Sequence, residues 1–477
     1  MSTSRKFSKG LGWGVIDNFS GTGINFIVGI LLARALSPEA YSVIGLSLIL
    51  VTISNIIADG GISTALIRKS KVSPADYNTG FFLNTLTAVI VYGILFLCAP
   101  PFAQSLELPI LTDTVRWLGL IVIIAAFSIV PKAQLTKALN FKTQALASLS
   151  SSLIAATIAV LMLYKGYGIW SFIVQQIVRQ SLYTLTLWSF IRQVPRWQFV
   201  SSSARELSSF GSRILLSGLI DAVYNNLYYF IIGKVFKPHT LGLYSRSEHF
   251  SSILSINFAM VLQRVSLPVL TQYKHDEQQF TQFIRTLLSK SSLLFSILFA
   301  IIAGTADQLI LVIIGPQWIE AAPILRLLCI SALFQPLIVV HQNVLQVYGE
   351  AKLFLRIEVA KKLMAVCIVA ITLFTGFTAL IWGIVAIAVL SFFINAYFGN
   401  RHLHNYSWQQ QVKDIFPYHT TALIIGICLY AIGRTTLPLL EIILLQCGVA
   451  VVLLAIIFTQ FLKADFHFLQ QKFKSLT

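Results

Sequence analysis

Apolar residues run along this chain in long blocks separated by short polar connectors, and the blocks recur from Leu11 to Leu462. Coiled as helices, blocks of roughly 17 to 25 residues match the hydrocarbon thickness of a bilayer. The pattern predicts spanning helices over residues 11–33, 41–66, 81–104, 115–131, 146–164, 168–190, 212–234, 248–270, 289–314, 324–347, 357–378, 380–402, 416–434 and 440–462. No soluble-looking stretch of domain length interrupts them. The expected class is an all-α polytopic membrane protein with about 14 transmembrane helices.

Composition agrees with the pattern. Of 477 residues, 56% are hydrophobic and only 11% charged, against roughly 25% charged in an ordinary soluble domain. A net charge of +17 would suggest nucleic acid for a soluble protein, but here the basic residues sit in the short connectors. With both termini cytoplasmic, the inner connectors and tails hold 26 Lys and Arg against 8 outside, Arg179 falling mid-span. That asymmetry orients the chain by the positive-inside rule, and the topology replaces any need for a nucleic-acid partner. The N-terminal run carries Asp17, Asn18 and Asn25 behind Arg5, Lys6 and Lys9, so it reads as a first spanning helix and not as a signal peptide. Cys98, Cys329, Cys367, Cys428 and Cys447 all lie in apolar runs without paired spacing. They are expected to be buried filler, forming neither a disulfide framework nor a zinc site.

The chain also repeats itself. Leu31 to Pro38 aligns with Ile231 to Pro238 at an offset of 200, with Asn25 and Asn225 in the same register. A second echo joins Gly166-Tyr167-Gly168-Ile169-Trp170 to Gly376, Phe377 and Trp382. Six helices separate the repeats, so the halves share an orientation and an axis along the membrane normal. The expected organisation is a six-helix lobe over 1–200, a second six-helix lobe over 201–405, two additional helices over 406–477, and a central cavity between the lobes.

Charged groups within spans cost roughly 2.5 to 3.5 kcal/mol at a helix centre, so they tend to face a cavity or a partner. Asp17, Gly21 and Asn25 make a polar stripe in the first helix, and Ser217, Asp221, Asn225 and Tyr229 make one in the seventh. Asn55, Asp59 and Ser63 repeat the spacing in the second. In the sixth, Gln175, Arg179 and Tyr183 share a face flanked by Gln176 and Gln180. A guanidinium there binds a phosphate bidentately, while the tyrosine and glutamines suit sugar hydroxyls; the competing role for Arg179 is a helix-holding pair with Asp17, Asp59 or Asp221. Arg34 and Lys234 end the first helix of each half, where they contact cargo or snorkel to the interface. Asp17, Asp59 and Asp221 are the candidate ion-coupling carboxylates. His341, Gln342, Asn343 and Gln346 cluster late in the tenth helix as cavity lining or interhelical glue. Pro38 and Pro238 are expected to open the next helices. The sequence contains no nucleotide, zinc-protease or Cys-x-x-Cys motif, so no cofactor, metal or catalytic residue is assigned.

These residues resemble the polysaccharide exporters and flippases of the multidrug/oligosaccharidyl-lipid/polysaccharide superfamily, in particular the colanic-acid and teichuronic-acid exporter type. The resemblance is carried by Ile30 to Glu39 (ILLARALSPE), Asp59 to Arg68 (DGGISTALIR), Gly166 to Trp170 (GYGIW), Phe210 to Gly218 (FGSRILLSG), Ile232 to Lys234 (IGK) with Leu241 to Tyr244 (LGLY), and Arg264 to Pro268 (RVSLP). It implies a fourteen-helix, two-lobe transporter of the bacterial inner membrane, working by alternating access on undecaprenyl-diphosphate-linked oligosaccharide repeat units. Lipid-linked oligosaccharide, membrane lipid and polysaccharide polymerase machinery are then the expected partners of a monomer. The rivals are an ion-coupled small-molecule or multidrug antiporter of the same superfamily and a membrane polymerase or ligase. The latter is disfavoured by the shortness of every outer connector.

Overall fold

The computed structural model describes residues 13, 21–191, 194–403 and 406–457, and the regular structure among the described residues is helical throughout. The chain forms two compact units, Met1–Ser245 and Arg246–Thr477. The first holds α1 (Gly21–Ala35), α2 (Pro38–Asp59), α3 (Ile62–Arg68), α4 (Pro74–Ser105), α5 (Ile110–Lys137), α6 (Phe141–Tyr164), α7 (Ile169–Phe190), α8 (Ser201–Asn225) and α9 (Leu227–Val235). Helix α10 (Pro238–Tyr273) begins there and runs on into the second unit. That unit continues with α11 (Glu277–Gly304), α12 (Ala306–Ile313), α13 (Ala321–Ala332), α14 (Gln335–Val347), α15 (Ala351–Leu373), α16 (Phe377–Gly399), α17 (Trp408–Gly433) and α18 (Leu439–Ile457).

Among the described residues nine helices are long and apolar enough to cross a membrane, or ten if α8 and α9 form one bent span. Helix α4 illustrates how they divide their surface. Ala88, Val91 and Leu95 are buried, while Ile90, Ile94 and Leu97 are exposed, Leu97 at 74%. An exposed apolar stripe of this length needs a lipid solvent, so the chain is a multi-pass membrane protein.

The elements depart from the sequence pattern at several places, of which three bear on the site and its surroundings. The second expected span breaks after Asp59, because Gly60 and Gly61 adopt φ of 57° and 72° and divide α2 from α3. The seventh bends by 42° between α8 and α9. At the bend the Asn226 Nδ2 donates to the Ala222 carbonyl at 2.8 Å, which the Asn226 backbone also reaches. Tyr229 therefore lies beyond the bend, off the α8 stripe of Ser217, Asp221 and Asn225. Helix α11 starts well before residue 289, at Glu277, with Asp276 accepting from the Gln279 N–H at 2.9 Å. The cysteines also need correcting: Cys329 is buried, but Cys98, Cys367, Cys428 and Cys447 are exposed. A thiol behaves as a small hydrophobe, and lipid makes an outward position as suitable as an inward one.

Prolines inside α4 and α5 leave carbonyls without their helical donors. Pro131 frees the Phe127 carbonyl, and the Trp188 indole of α7 donates to it at 2.9 Å. Pro100 frees the Phe96 carbonyl, and Arg116 Nε of α5 takes it at 3.3 Å. The connector before α8 is pinned to α4 in the same spirit: Asn78 accepts from the Arg196 N–H at 2.9 Å and donates to Gln198 at 2.9 Å, and Thr79 accepts from the Val200 N–H at 3.1 Å.

The 200-residue repeat is visible in the helix boundaries. Helices α1 and α9 end at Ala35 and Val235, and Pro38 and Pro238 open α2 and α10. Within the first unit the matched positions Glu39 and His239 meet at 4.0 Å. A Cβ on Gly242 would lie 1.9 Å from the Pro38 carbonyl oxygen, so the ILLARALSPE and LGLY segments are pressed together through a glycine. The other echo is matched too, since Gly168 and Gly376 directly precede α7 and α16.

Candidate functional site

Helix α7 has span length, yet it carries a run of polar residues in its middle, and the structure sorts them by face. Gln180 donates to Thr184 at 3.4 Å, Thr184 donates to the Ile124 carbonyl at 3.2 Å, and Trp188 reaches the Phe127 carbonyl. This 180/184/188 row bolts α7 to α5. Gln175 is buried at 2% exposure, and Tyr183 packs against Leu135, Ala147 and Leu187. Arg179 is half-buried. Its Nη2 donates to the Gln176 Oε1 at 2.9 Å, and its buried Nε has no hydrogen-bond partner among the described residues. No carboxylate among the described residues pairs with it, Asp59 and Asp221 included. Asp17, the third acid considered for that role and for ion coupling, lies outside the described residues. Among the described residues, Arg179 and Gln176 thus form a cationic, amide-flanked group on α7.

A second constellation lies where α2 faces α8. A cavity of about 400 Å³ is lined by Thr52, Asn55, Ile56 and Asp59 from α2 and by Leu215 and Gly218 from α8. The residues Thr52, Asn55 and Asp59 fall three and four apart, which places all three on one helix face. Asp59 sits at the C-terminal end of α2, where its Oδ1 accepts from the Ser63 N–H at 3.3 Å. Ser63 itself contributes its backbone here and does not extend the stripe into the cavity. Thr52 was not among the residues singled out from sequence, although its spacing from Asn55 and Asp59 carried the signal. Its hydroxyl donates to the Leu48 carbonyl at 2.7 Å and leaves its lone pairs for a ligand.

The cavity is held open by close backbone packing. Gly60 and Gly61 of the DGGISTALIR segment press against Gly211 of FGSRILLSG, so two stretches separated by about 150 residues build one wall. Around and beyond Gly218 on α8, Ser217, Asp221 and Asn225 are exposed, as is Asn25 on α1. Exposed polar stripes on helices of a membrane protein demand water or a polar ligand in place of lipid.

The structure does not gather the remaining candidates at either place. Arg34 is exposed at the end of α1. Lys234, exposed at the end of α9, donates to the Ser105 carbonyl at 2.5 Å and so caps the C-terminus of α4. This contact suits the negative end of a helix dipole. In the second unit His341 is fully buried and neither ring nitrogen has a hydrogen-bond partner among the described residues, while Asn343 donates to Ser266 at 2.7 Å and Gln342 to Glu358 at 2.9 Å. That cluster acts as interhelical glue.

Comparison with known proteins places the chain in a family. The succinoglycan biosynthesis transport protein ExoT of Rhizobium meliloti (strain 1021) is 26% identical over 328 residues, covering 69% of this chain and 66% of the relative. The teichuronic acid biosynthesis protein TuaB of Bacillus subtilis (strain 168) is 22% identical over 354 residues, 74% of this chain and 73% of that protein. The chain thus spans about two thirds to three quarters of these relatives. A solved structure of the lipid II flippase MurJ in an inward closed conformation superposes with a TM-score of 0.68 at 13% identity, over 95% of this chain and 100% of the other. At that identity the likeness speaks for the fold. The sequence profile described as polysaccharide biosynthesis protein matches residues 31–323, a stretch that contains the α7 arginine, the α2–α8 cavity and the glycine contacts that shape it, and the chain belongs to that family.

Proposed function

We propose that the protein is a flippase that moves undecaprenyl-diphosphate-linked oligosaccharide or polysaccharide repeat units across the bacterial inner membrane by alternating access. The observation that carries this reading is Arg179, a half-buried guanidinium in a helix of span length, without a carboxylate partner among the described residues. Such a charge costs roughly 2.5 to 3.5 kcal/mol at the centre of a spanning helix. Its retention without a counter-ion among the described residues favours an anion supplied by the cargo. A guanidinium offers a diphosphate two parallel donors, and Gln176, hydrogen-bonded to that guanidinium, adds an amide that suits a sugar hydroxyl.

In this reading both termini are cytoplasmic, as the 26 to 8 distribution of basic residues favours. Fourteen spans form a lobe over 1–200, a lobe over 201–405 and two further helices. The head group enters from the cytoplasm, Arg179 neutralises phosphate, the lipid tail stays in the bilayer, and rocking of the lobes delivers the head outside. An inside-negative potential assists, at roughly 2.3 kcal/mol per charge per 100 mV. The exposed polar residues Asn25, Asn225 and Asp221 line the aqueous route, with Arg34 and Lys234 near its outer end. Asp59, in its cavity with Asn55 and Thr52, is the coupling carboxylate with the best geometric support. The chain works as a non-catalytic monomer alongside a polymerase that consumes its product.

The test is reconstitution in liposomes with a fluorescent undecaprenyl-diphosphate oligosaccharide. Wild type should translocate the probe, Arg179→Ala should reduce the rate at least tenfold, and Arg179→Lys should recover only part of it, because a lysine loses the two-pronged geometry. Absence of translocation by wild type with several repeat units, together with drug efflux, would replace the proposal with a small-molecule antiporter.

A further inference from the structure

A polar cavity in the second unit was not anticipated from sequence. It lies between the first turns of α11 and of α17, encloses about 960 Å³, and is walled by Gln278, Thr281, Gln282 and Thr286 on one side and by Tyr406 and Tyr418 on the other. That volume is at the upper end of the range for small-molecule sites.

Its depth follows from the helices that form it. Helix α11 is rich in polar residues from Glu277 to Lys290 and almost wholly apolar from Leu293 onward, and α17 changes character in the same way after His419 and its two threonines. The lining ends at Lys290 and Tyr418. The cavity therefore sits where both helices leave the apolar slab, at the level of lipid head groups.

The charges in it are balanced and largely engaged. Arg285 holds Asp414 through Nε–Oδ2 at 2.6 Å and Nη2–Oδ1 at 3.0 Å, and the Tyr406 hydroxyl donates to the same carboxylate at 2.9 Å. Two acids, Glu277 and Asp414, face two bases, Arg285 and Lys290. This is not a site built for a bare phosphate. What remains unengaged is neutral. The side chains of Gln278 and Gln282 are exposed along the cavity wall, and the buried Thr281 hydroxyl has no hydrogen-bond partner among the described residues. Thr286 donates only to the Gln282 carbonyl. Gln278, Gln282 and Thr286 follow i, i+4, i+8 spacing, so they present one row of groups that both donate and accept. Hydroxyls do the same, so the row suits those of a sugar.

We propose that the α11–α17 cleft is a second binding site, selective for the neutral, hydroxyl-rich glycan head of a membrane-anchored lipid. The inference rests on the proposed lipid-linked cargo, but it concerns capture at the membrane surface and not translocation.

The experiment places a photoreactive benzoylphenylalanine at Gln278, on the cavity wall, and as control at Leu423, which is exposed on the apolar part of α17. The full-length protein is reconstituted in phosphatidylethanolamine liposomes with the fluorescent undecaprenyl-diphosphate oligosaccharide. Labelling at position 278 should saturate and exceed labelling at position 423 by at least fivefold. Excess unlabelled glycolipid should compete it away, whereas undecaprenyl diphosphate without sugar and phosphatidylglycerol should not. In the same photoreactive background, Gln282→Leu with Thr286→Val should lower the signal at least fivefold, and Arg179→Ala should leave it unchanged while abolishing translocation. Equal competition by undecaprenyl diphosphate would show a site for phosphate or tail and overturn the proposal, as would equal labelling at the two positions. Saturable, sugar-dependent labelling in a protein that does not translocate would leave this site standing and remove the flippase reading.

Discussion

Gly61 and Gly211 touch backbone to backbone: a Cβ added to Gly61 would lie 2.4 Å from the Gly211 carbonyl oxygen, and one added to Gly211 would lie 2.5 Å from that of Gly60. Gly61 also has a φ of 72°, which a side chain adopts at a cost of about 1 kcal/mol or more. Gly61→Ala combines that strain with overpacking of about 1 to 3 kcal/mol, so it should lower the Tm in detergent by several degrees and close the α2–α8 cavity. Gly211→Ala should do nearly as much through packing alone. Gly93→Ala, where a Cβ meets nothing within 4 Å, is the control and should leave the Tm at or above that of wild type.

The Trp188 indole stands in for the backbone donor that Pro131 removes from the Phe127 carbonyl. Trp188→Phe should cost about 1 to 3 kcal/mol, the penalty for leaving a buried polar group unpaired. In a Pro131→Ala background the helix regains its own N–H, and the same substitution should cost clearly less. A double-mutant cycle on denaturation midpoints measures this coupling; additive effects would mean that the indole does not serve this carbonyl.

Asp59→Asn keeps an oxygen to accept from the Ser63 N–H and keeps the shape of the cavity, but it removes the charge. Thermal stability should change little. Translocation by the variant should lose whatever dependence on proton or sodium gradients wild type displays. A variant with the wild-type gradient dependence would exclude Asp59 as the coupling acid.

Lys69, just past α3, bridges Asp76 at 2.9 Å and Glu206 at 2.8 Å and so ties α4 to α8. Hydrogen bonding to Glu206 first and Asp76 second holds its ammonium above the ordinary value of 10.5. A group raised on folding stabilises fully below its unfolded pKa and loses that contribution as pH rises through the folded one. The clamp should therefore be constant through neutral pH and weaken only in strong alkali. Lys69→Met should cost about 1 to 3 kcal/mol by leaving the buried Asp76 short of a partner. The difference in Tm between the two proteins should be flat from pH 6 to 9 and shrink above pH 11.

The repeat shows how far pattern reading reaches. Leu31 to Pro38 and Ile231 to Pro238 could be matched from sequence because each marks the same event, the end of one helix and a proline start for the next. Such punctuation is local chemistry. The bend at Asn226 was not legible, because a side-chain amide competing for the Ala222 carbonyl interrupts no apolar run. The α11–α17 cleft was missed for a related reason, since its walls come from residues about 130 apart.

Sequence alone determined the solvent and the class of element: apolar blocks of bilayer length need lipid, and a backbone in lipid must bond within itself as helices. It also singled out Arg179, because a charge amid apolar residues is conspicuous in any arrangement. Which polar residues meet was decided by tertiary structure. Periodicity assigns a residue to a helix face, but only packing says what that face touches. Thr184 and Trp188 became bolts to α5, Lys234 a cap for Ser105, and Asn55 and Asp59 the lining of a cavity, because contacts between distant helices depend on side-chain shape and backbone approach across the whole fold.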